Sequence, residues 1–195
     1  MRSVLPLGRP AHTGRLLLST GDPCLLPDPA PLAARLTRAG FLGPPLEGGG
    51  DVFTVGERFL QLVTFAGCSV RIELSPTGDV PFCHIRLTGP FPQPVFLSGR
   101  NTRPPRCRSC RSPLHGWRQA VSDREQTGPV RIPCPTCRKT SSPWDYDWKQ
   151  QAGFGRLFIR VEEVFPGEAM PTPALLALLA DTGGVPWRYF YIQDA

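Results

Sequence analysis

The sequence predicts an α+β protein: a mainly antiparallel sheet with one or two helices packed on it, interrupted by a small module built on paired cysteines. Three observations carry that prediction. Short segments such as "SVRIEL" (69–74) and "FCHIRL" (82–87) alternate apolar and polar residues with the period of a half-buried strand. Two other stretches, 29–39 and 172–184, have the caps and apolar content of helices. Between them, two C-x-x-C pairs sit in a proline- and arginine-rich segment that has neither pattern.

Taken in order, the first twenty residues hold prolines at 6 and 10. Their apolar run, Leu16 to Leu18, is too short for the core of a signal peptide, so no leader is expected. Residues 29–39 predict a helix with Asp28 as N-cap and Gly40 where the chain must turn left-handed. Residues 57–65, "ERFLQLVTF", read as a strand. With 69–74, the turn 76–79 and 82–87 it predicts a three-stranded antiparallel meander, with Phe96 near a fourth strand. The alternation points Cys83, Ile85 and Leu87 inward. Prolines and arginines from Gly99 to Arg106 mark a boundary. Residues 155–165 then predict a strand, 172–184 a helix with Thr172 as N-cap and Pro173 in its first turn, and 187–193 a final aromatic strand. The expected organisation is an N-terminal part of the body (1–99), the cysteine module (100–145) and a C-terminal part completing the body (146–195).

Composition narrows the class. At 195 residues, the chain suits one domain carrying a small module. A hydrophobic share of 41% excludes a disordered chain, while 20 glycines and 24 prolines predict many loops. The apolar run "ALLALLA" is far too short to span a bilayer, so no membrane role is expected. Residues 172–182 are apolar nearly all round, which predicts burial against the sheet, with a dimer interface as the other use. A cytoplasmic location follows by default, and seven cysteines fit a disulfide framework poorly. Lys139 and Lys149 are the only lysines, an arginine bias expected of a GC-rich bacterial genome.

Cys107, Cys110, Cys134 and Cys137 carry the clearest chemistry. Two thiolates two residues apart can share one tight turn, and two such turns supply a closed tetrahedral shell for a metal. Pro135 presets the second turn, and the 23 residues between the pairs predict a finger with its tip near 122–129. On "CRSC" and "CPTC", about a fifth of the chain, the segment resembles the zinc-ribbon or rubredoxin-like knuckle module. The resemblance implies a metal-stabilised platform and no particular activity. In many ribbons a glycine follows the second cysteine; here Arg111 and Arg138 stand there. Structural Zn²⁺ is the expected occupant, with iron as the alternative in the same shell. Four thiolates leave no open position for catalytic zinc, and neither pair lies at the strand-to-helix junction that thioredoxin chemistry uses. His115 is expected to be solvated or to support the site from outside.

Charge points to a binding role. Residues 100–140 hold ten basic residues against Asp123 and Glu125; the rest of the chain has 12 basic and 14 acidic residues, so the whole +6 belongs to this segment. A four-thiolate zinc site compensates only two of these charges. Arg103, Arg106, Arg108, Arg111 and Arg138 are the expected partner-binding residues. Trp117, Trp144, Tyr146 and Trp148 are candidates to stack bases, but Asp145 and Asp147 interleave the last three and repel phosphate, and packing of the module against the body is the first use expected of them. An acidic protein partner is therefore the first expectation and nucleic acid the second. Cys24, Cys68, Cys83, His12 and His84 form no local nucleophile–base motif, "EGGGD" (47–51) reads as a turn, and Glu162–Glu163 is no carboxylate dyad. The expected function is a non-catalytic zinc-binding adaptor, with an enzyme whose site is invisible in sequence as the third reading.

Overall fold

Six strands pair edge to edge in one antiparallel sheet, and the structure, a computed structural model, describes residues 14–46, 48, 50–66, 72–77, 80–121 and 131–193. In chain order the elements are β1 (Gly14–Thr20), α1 (Pro29–Arg38), β2 (Leu42–Pro45), β3 (Val52–Val55), α2 (Phe59–Leu62), β4 (Val63–Phe65), β5 (His84–Thr88) and β6 (Val95–Ser98). They continue with the helical residues 117–121 (α3), β7 (Ile132–Pro133), β8 (Thr140–Ser141), β9 (Ala152–Gly155), β10 (Phe158–Glu162), β11 (Ala169–Pro171), α4 (Pro173–Gly183) and β12 (Trp187–Gln193). The large sheet has the order β12-β1-β10-β5-β3-β2, and β4–β11, β6–β9 and β7–β8 form three small pairs. The α+β class holds. Among the described residues no helix is long and apolar enough to cross a membrane.

Both faces of the sheet are covered. Leu16 and Leu18 of β1 pack with Leu32 and Leu36 of α1 and Leu175 and Leu179 of α4, while Leu17 packs oppositely with Phe158, Phe190 and Ile192. Each helix thus contributes leucines four apart, the spacing of one helix face. Burying each is worth roughly 1.5–3 kcal/mol. The predicted caps form: Asp28 Oδ1 accepts from Ala30 N at 3.2 Å, and Thr172 Oγ1 accepts from Leu175 N at 3.3 Å. Gly40 and Gly184 take φ of +74° and +66° beyond the helix ends, as left-handed caps require. All four leucines of α4 are buried or half-buried, and its open positions are Pro173, Ala174, Ala177 and Asp181. Core packing therefore explains its apolar sequence.

Four expectations change. Residues 57–65 are not one strand: Phe59 and Leu62 fall three apart on the buried side of α2, and only 63–65 extend, against β11. The meander does not form, because β5 pairs with β10 on one side and β3 on the other. Residues 72–74 carry no strand; 69–71, Cys68, part of the turn 76–79, the finger tip 122–129 and His12 lie outside the described residues. Residues 155–165 divide, with β9 ending at Gly155 and β10 starting at Phe158. Finally, β1 and the β2–β3 hairpin were not expected at all. A central strand buried on both faces shows no alternation, and "LGPP" looks like loop.

The cysteine segment is an excursion from one ladder. Ser98, at the end of β6, pairs with Ala152, at the start of β9, so the chain leaves and returns at one rung. Asn101 clamps that base, donating from Nδ2 to Tyr191 O and accepting from Gln193 N on Oδ1, both at 2.9 Å. Gly153 lies so close to Phe190 that a Cβ there would stand 2.3 Å from the ring. In the sheet itself, Glu162 is buried between Arg15 (3.3 Å) and Arg160 (2.8 Å), a structural ion triad.

Candidate metal centre and adjoining cleft

The two cysteine turns are built alike. Cys107 N donates to Ser112 O and Arg111 N to Cys107 O, each at 2.9 Å; Cys134 N donates to Lys139 O and Arg138 N to Cys134 O, again at 2.9 Å. The β7–β8 ladder frames the second turn, and Arg106, bridging both Pro113 and Asp147, frames the first. To close this way each turn needs a left-handed residue after its second cysteine. Arg111 and Arg138 supply it at φ of 62° and 60°. These are the positions where ribbons often carry glycine, so the geometry is kept although the residue is not.

The four sulfurs converge. Their Sγ atoms all lie within 4.8 Å of one another, with Cys107–Cys137 at 3.7 Å and Cys110–Cys134 at 3.5 Å. A tetrahedron with metal–sulfur bonds of about 2.3 Å has edges of about 3.8 Å. The donor set therefore fits a metal ion. Local hydrogen bonds favour the ligand form: the Cys110 and Ser109 amides lower the Cys107 thiol, and the Ser112 hydroxyl and amide bring Cys110 down to about 6. For Cys137 the Lys139 amide works downward, but desolvation and the neighbouring thiols outweigh it and leave it raised to about 11. His115 is exposed and outside the cluster.

An aromatic cluster surrounds the sulfurs. Cys107 and Cys134 are buried with Leu114, Trp117, Ile132, Tyr146, Trp148 and Phe154. Tyr146 donates to Ile132 O at 3.0 Å and Trp148 Nε1 to Pro143 O at 2.9 Å. Burial, then the four cysteines, hold the Tyr146 hydroxyl up at about 12. Trp117, Tyr146 and Trp148 are thus core residues of the excursion. Trp144 remains half-exposed.

The expected partner residues separate into two groups. Arg106 is half-buried and donates to Arg111 O at 3.1 Å, and Arg111 pairs with Asp147 at 3.2 Å. Arg103, Arg108 and Arg138 are exposed. Arg108 lines two adjoining hollows, of about 430 and 300 Å³, that share it with Trp144 and Arg188. The larger is cationic, with Arg131 and Lys139 beside Arg108 and Arg188, hydroxyls from Ser109, Thr140 and Ser141, and one acid, Asp145. The smaller is richer in aromatics, with Trp144, Trp187, Tyr189 and Leu176 in its walls, and also carries Asp147 and Lys149. Arg188 was missed in the sequence because it lies on β12, outside the basic segment. Burial and then Arg108 lower its pKa, with Asp145 and Asp22 working the other way.

Cys83 and His84 lie in the core. Burial, then Glu163 and Glu162, push the Cys83 thiol up to about 12. His84 is buried against Phe82 and donates from Nδ1 to the Phe82 carbonyl at 2.9 Å. No protein-family model matches the chain, and no curated protein and no solved structure does so.

Proposed function

We propose that this chain is a non-catalytic binding protein in which a structural zinc ion, held by Cys107, Cys110, Cys134 and Cys137, stiffens a basic platform for an anionic partner. The observation that carries the reading is the convergence of four sulfurs on two turns of identical hydrogen bonding. A closed four-thiolate shell, with Cys107 and Cys134 buried, suits a structural ion, and zinc accepts that geometry without a preference of its own. The platform reading is supported by Arg103, Arg108, Arg131, Arg138 and Lys139, all exposed on or beside the two turns.

An acidic protein stood first in sequence because Asp145 and Asp147 interleave the aromatics. Both carboxylates have structural duties: Asp145 Oδ2 accepts from Ser142 N at 3.2 Å, and Asp147 pairs with Arg111 and accepts from Lys149 N at 3.0 Å. That weakens the case against phosphate. The metal is tested by elemental analysis of protein purified without added metal. One equivalent of zinc per chain is expected, and less than half an equivalent of zinc and iron together would sink the proposal. A red, iron-dominated preparation would overturn zinc specifically. Cys134→Ser should remove the ion and release the buried tryptophans, seen as a shift in fluorescence.

A further inference from the structure

We infer that the cleft between the two cysteine turns and β12 binds single-stranded nucleic acid, with a phosphate in its cationic half and an unpaired base in its aromatic half. The inference rests on the anionic-partner reading above and names that partner.

The cleft is composite. Arg108 and Ser109 come from the first turn, Arg131, Lys139, Thr140 and Ser141 from the second hairpin, and Arg188 from the sheet. None of these four cations stands within ion-pair distance of a carboxylate among the described residues, although Asp145, in the same hollow, and Asp22 attract Arg188 from further off. Like charges converging on one concave site are unfavourable until an anion enters, and phosphate takes hydrogen bonds from arginine forks and hydroxyls together. Trp144 stands where the cationic hollow meets the aromatic one. The aromatic half also has an unmet polar need: the buried Nε1 of Trp187, one of its walls, has no acceptor among the described residues.

The two halves choose between partners. A run of acidic residues satisfies the cations and leaves the aromatic half empty. A nucleotide segment fills both, because its charge and its flat apolar face are joined about one sugar apart. A base can enter such a hollow only when it is unpaired, which selects a single strand over a duplex.

The test is fluorescence anisotropy of labelled dT12 with the zinc-loaded full chain, across a salt series. Arg108→Ala, Lys139→Ala and Arg188→Ala should each weaken binding several-fold and reduce the salt slope by about 0.7, the value for one single-strand phosphate contact. Trp144→Leu and Tyr189→Leu should weaken it on the order of 5- to 150-fold, the size of one lost stack, and leave the slope unchanged. Arg38→Ala, exposed at the end of α1, should change nothing. Arg188 also donates to Gly21 O, so zinc content and melting temperature are measured for every variant. Arg108 and Lys139 make no side-chain hydrogen bond or ion pair with the described residues, and their variants decide the matter if Arg188→Ala unfolds. No dT12 binding by a zinc-replete protein overturns the inference and leaves the zinc platform standing. Equal loss from Arg38→Ala, or tighter binding of a polyglutamate 12-mer, overturns it in favour of diffuse charge or an acidic protein.

Discussion

Replacing Arg138 with glycine should make this protein more stable. Arg138 closes the second cysteine turn at φ 60°, and it makes no ion pair with any described residue. A side chain in the left-handed region costs about 1–2 kcal/mol. Glycine removes that cost but adds about 0.5–1 kcal/mol of chain entropy to the unfolded state. The difference favours Arg138→Gly by about 0.7 kcal/mol. For a chain of this size that raises the melting temperature by about 2 °C. Arg111 offers an internal comparison, because it holds the same conformation at φ 62° but also pairs with Asp147. That pair is largely solvated, with the guanidinium side chain 63% exposed, so it is worth only about 0.5 kcal/mol. Arg111→Gly should therefore be close to neutral. The assay is urea unfolding of zinc-loaded protein followed by tryptophan fluorescence, which is weighted to this region because Trp117, Trp144 and Trp148 belong to the cluster around the sulfurs. A lower midpoint for Arg138→Gly at full zinc content would refute the reasoning, since it would mean that the turn is unstrained or that the arginine stabilises it.

Two further outcomes test the rest of the fold. Gly153→Ala should cost about 1–3 kcal/mol in urea unfolding, the range for overpacking, because its new methyl meets the Phe190 ring at the base of the excursion; an unchanged midpoint would show that the ring yields freely. In the folded protein at pH 8, iodoacetamide should label the exposed Cys24 and spare Cys83, whose thiol is raised to about 12; labelling of Cys83 as fast as Cys24 would contradict its burial. The same shift sets a sign with pH. The folded state favours the protonated thiol, so this contribution is complete below pH 9 and is lost as pH rises from 9 towards 12.

The four-cysteine cluster could be read from the sequence because its determinants are local. Two residues between cysteines define a turn, and the turn aims both sulfurs whatever the rest of the chain does. The cleft beside it could not be read. Arg108 is in the segment that holds the positive excess, yet Arg188 is 80 positions further along and meets it only because β12 forms the sheet edge against which the excursion folds. Composition could not separate the arginines either. Arg106 and Arg111 carry the same charge as Arg108, but backbone bridging and an ion pair turn them to structural use.

The same division runs through the fold. Helices α1 and α4 announced themselves through Asp28, Thr172, Gly40 and Gly184, since a cap is a contact between residues within one turn of each other. Strand β1 gave no such sign. Leu16, Leu17 and Leu18 are all fully buried because helices cover one face of the sheet and the β6–β9 pair the other, and that arrangement erases alternation. What the sequence by itself determined was the class of fold, the caps and the four clustered cysteines. Tertiary structure alone decided which strands are neighbours and which charges converge, because both depend on distances through space between residues far apart in the chain.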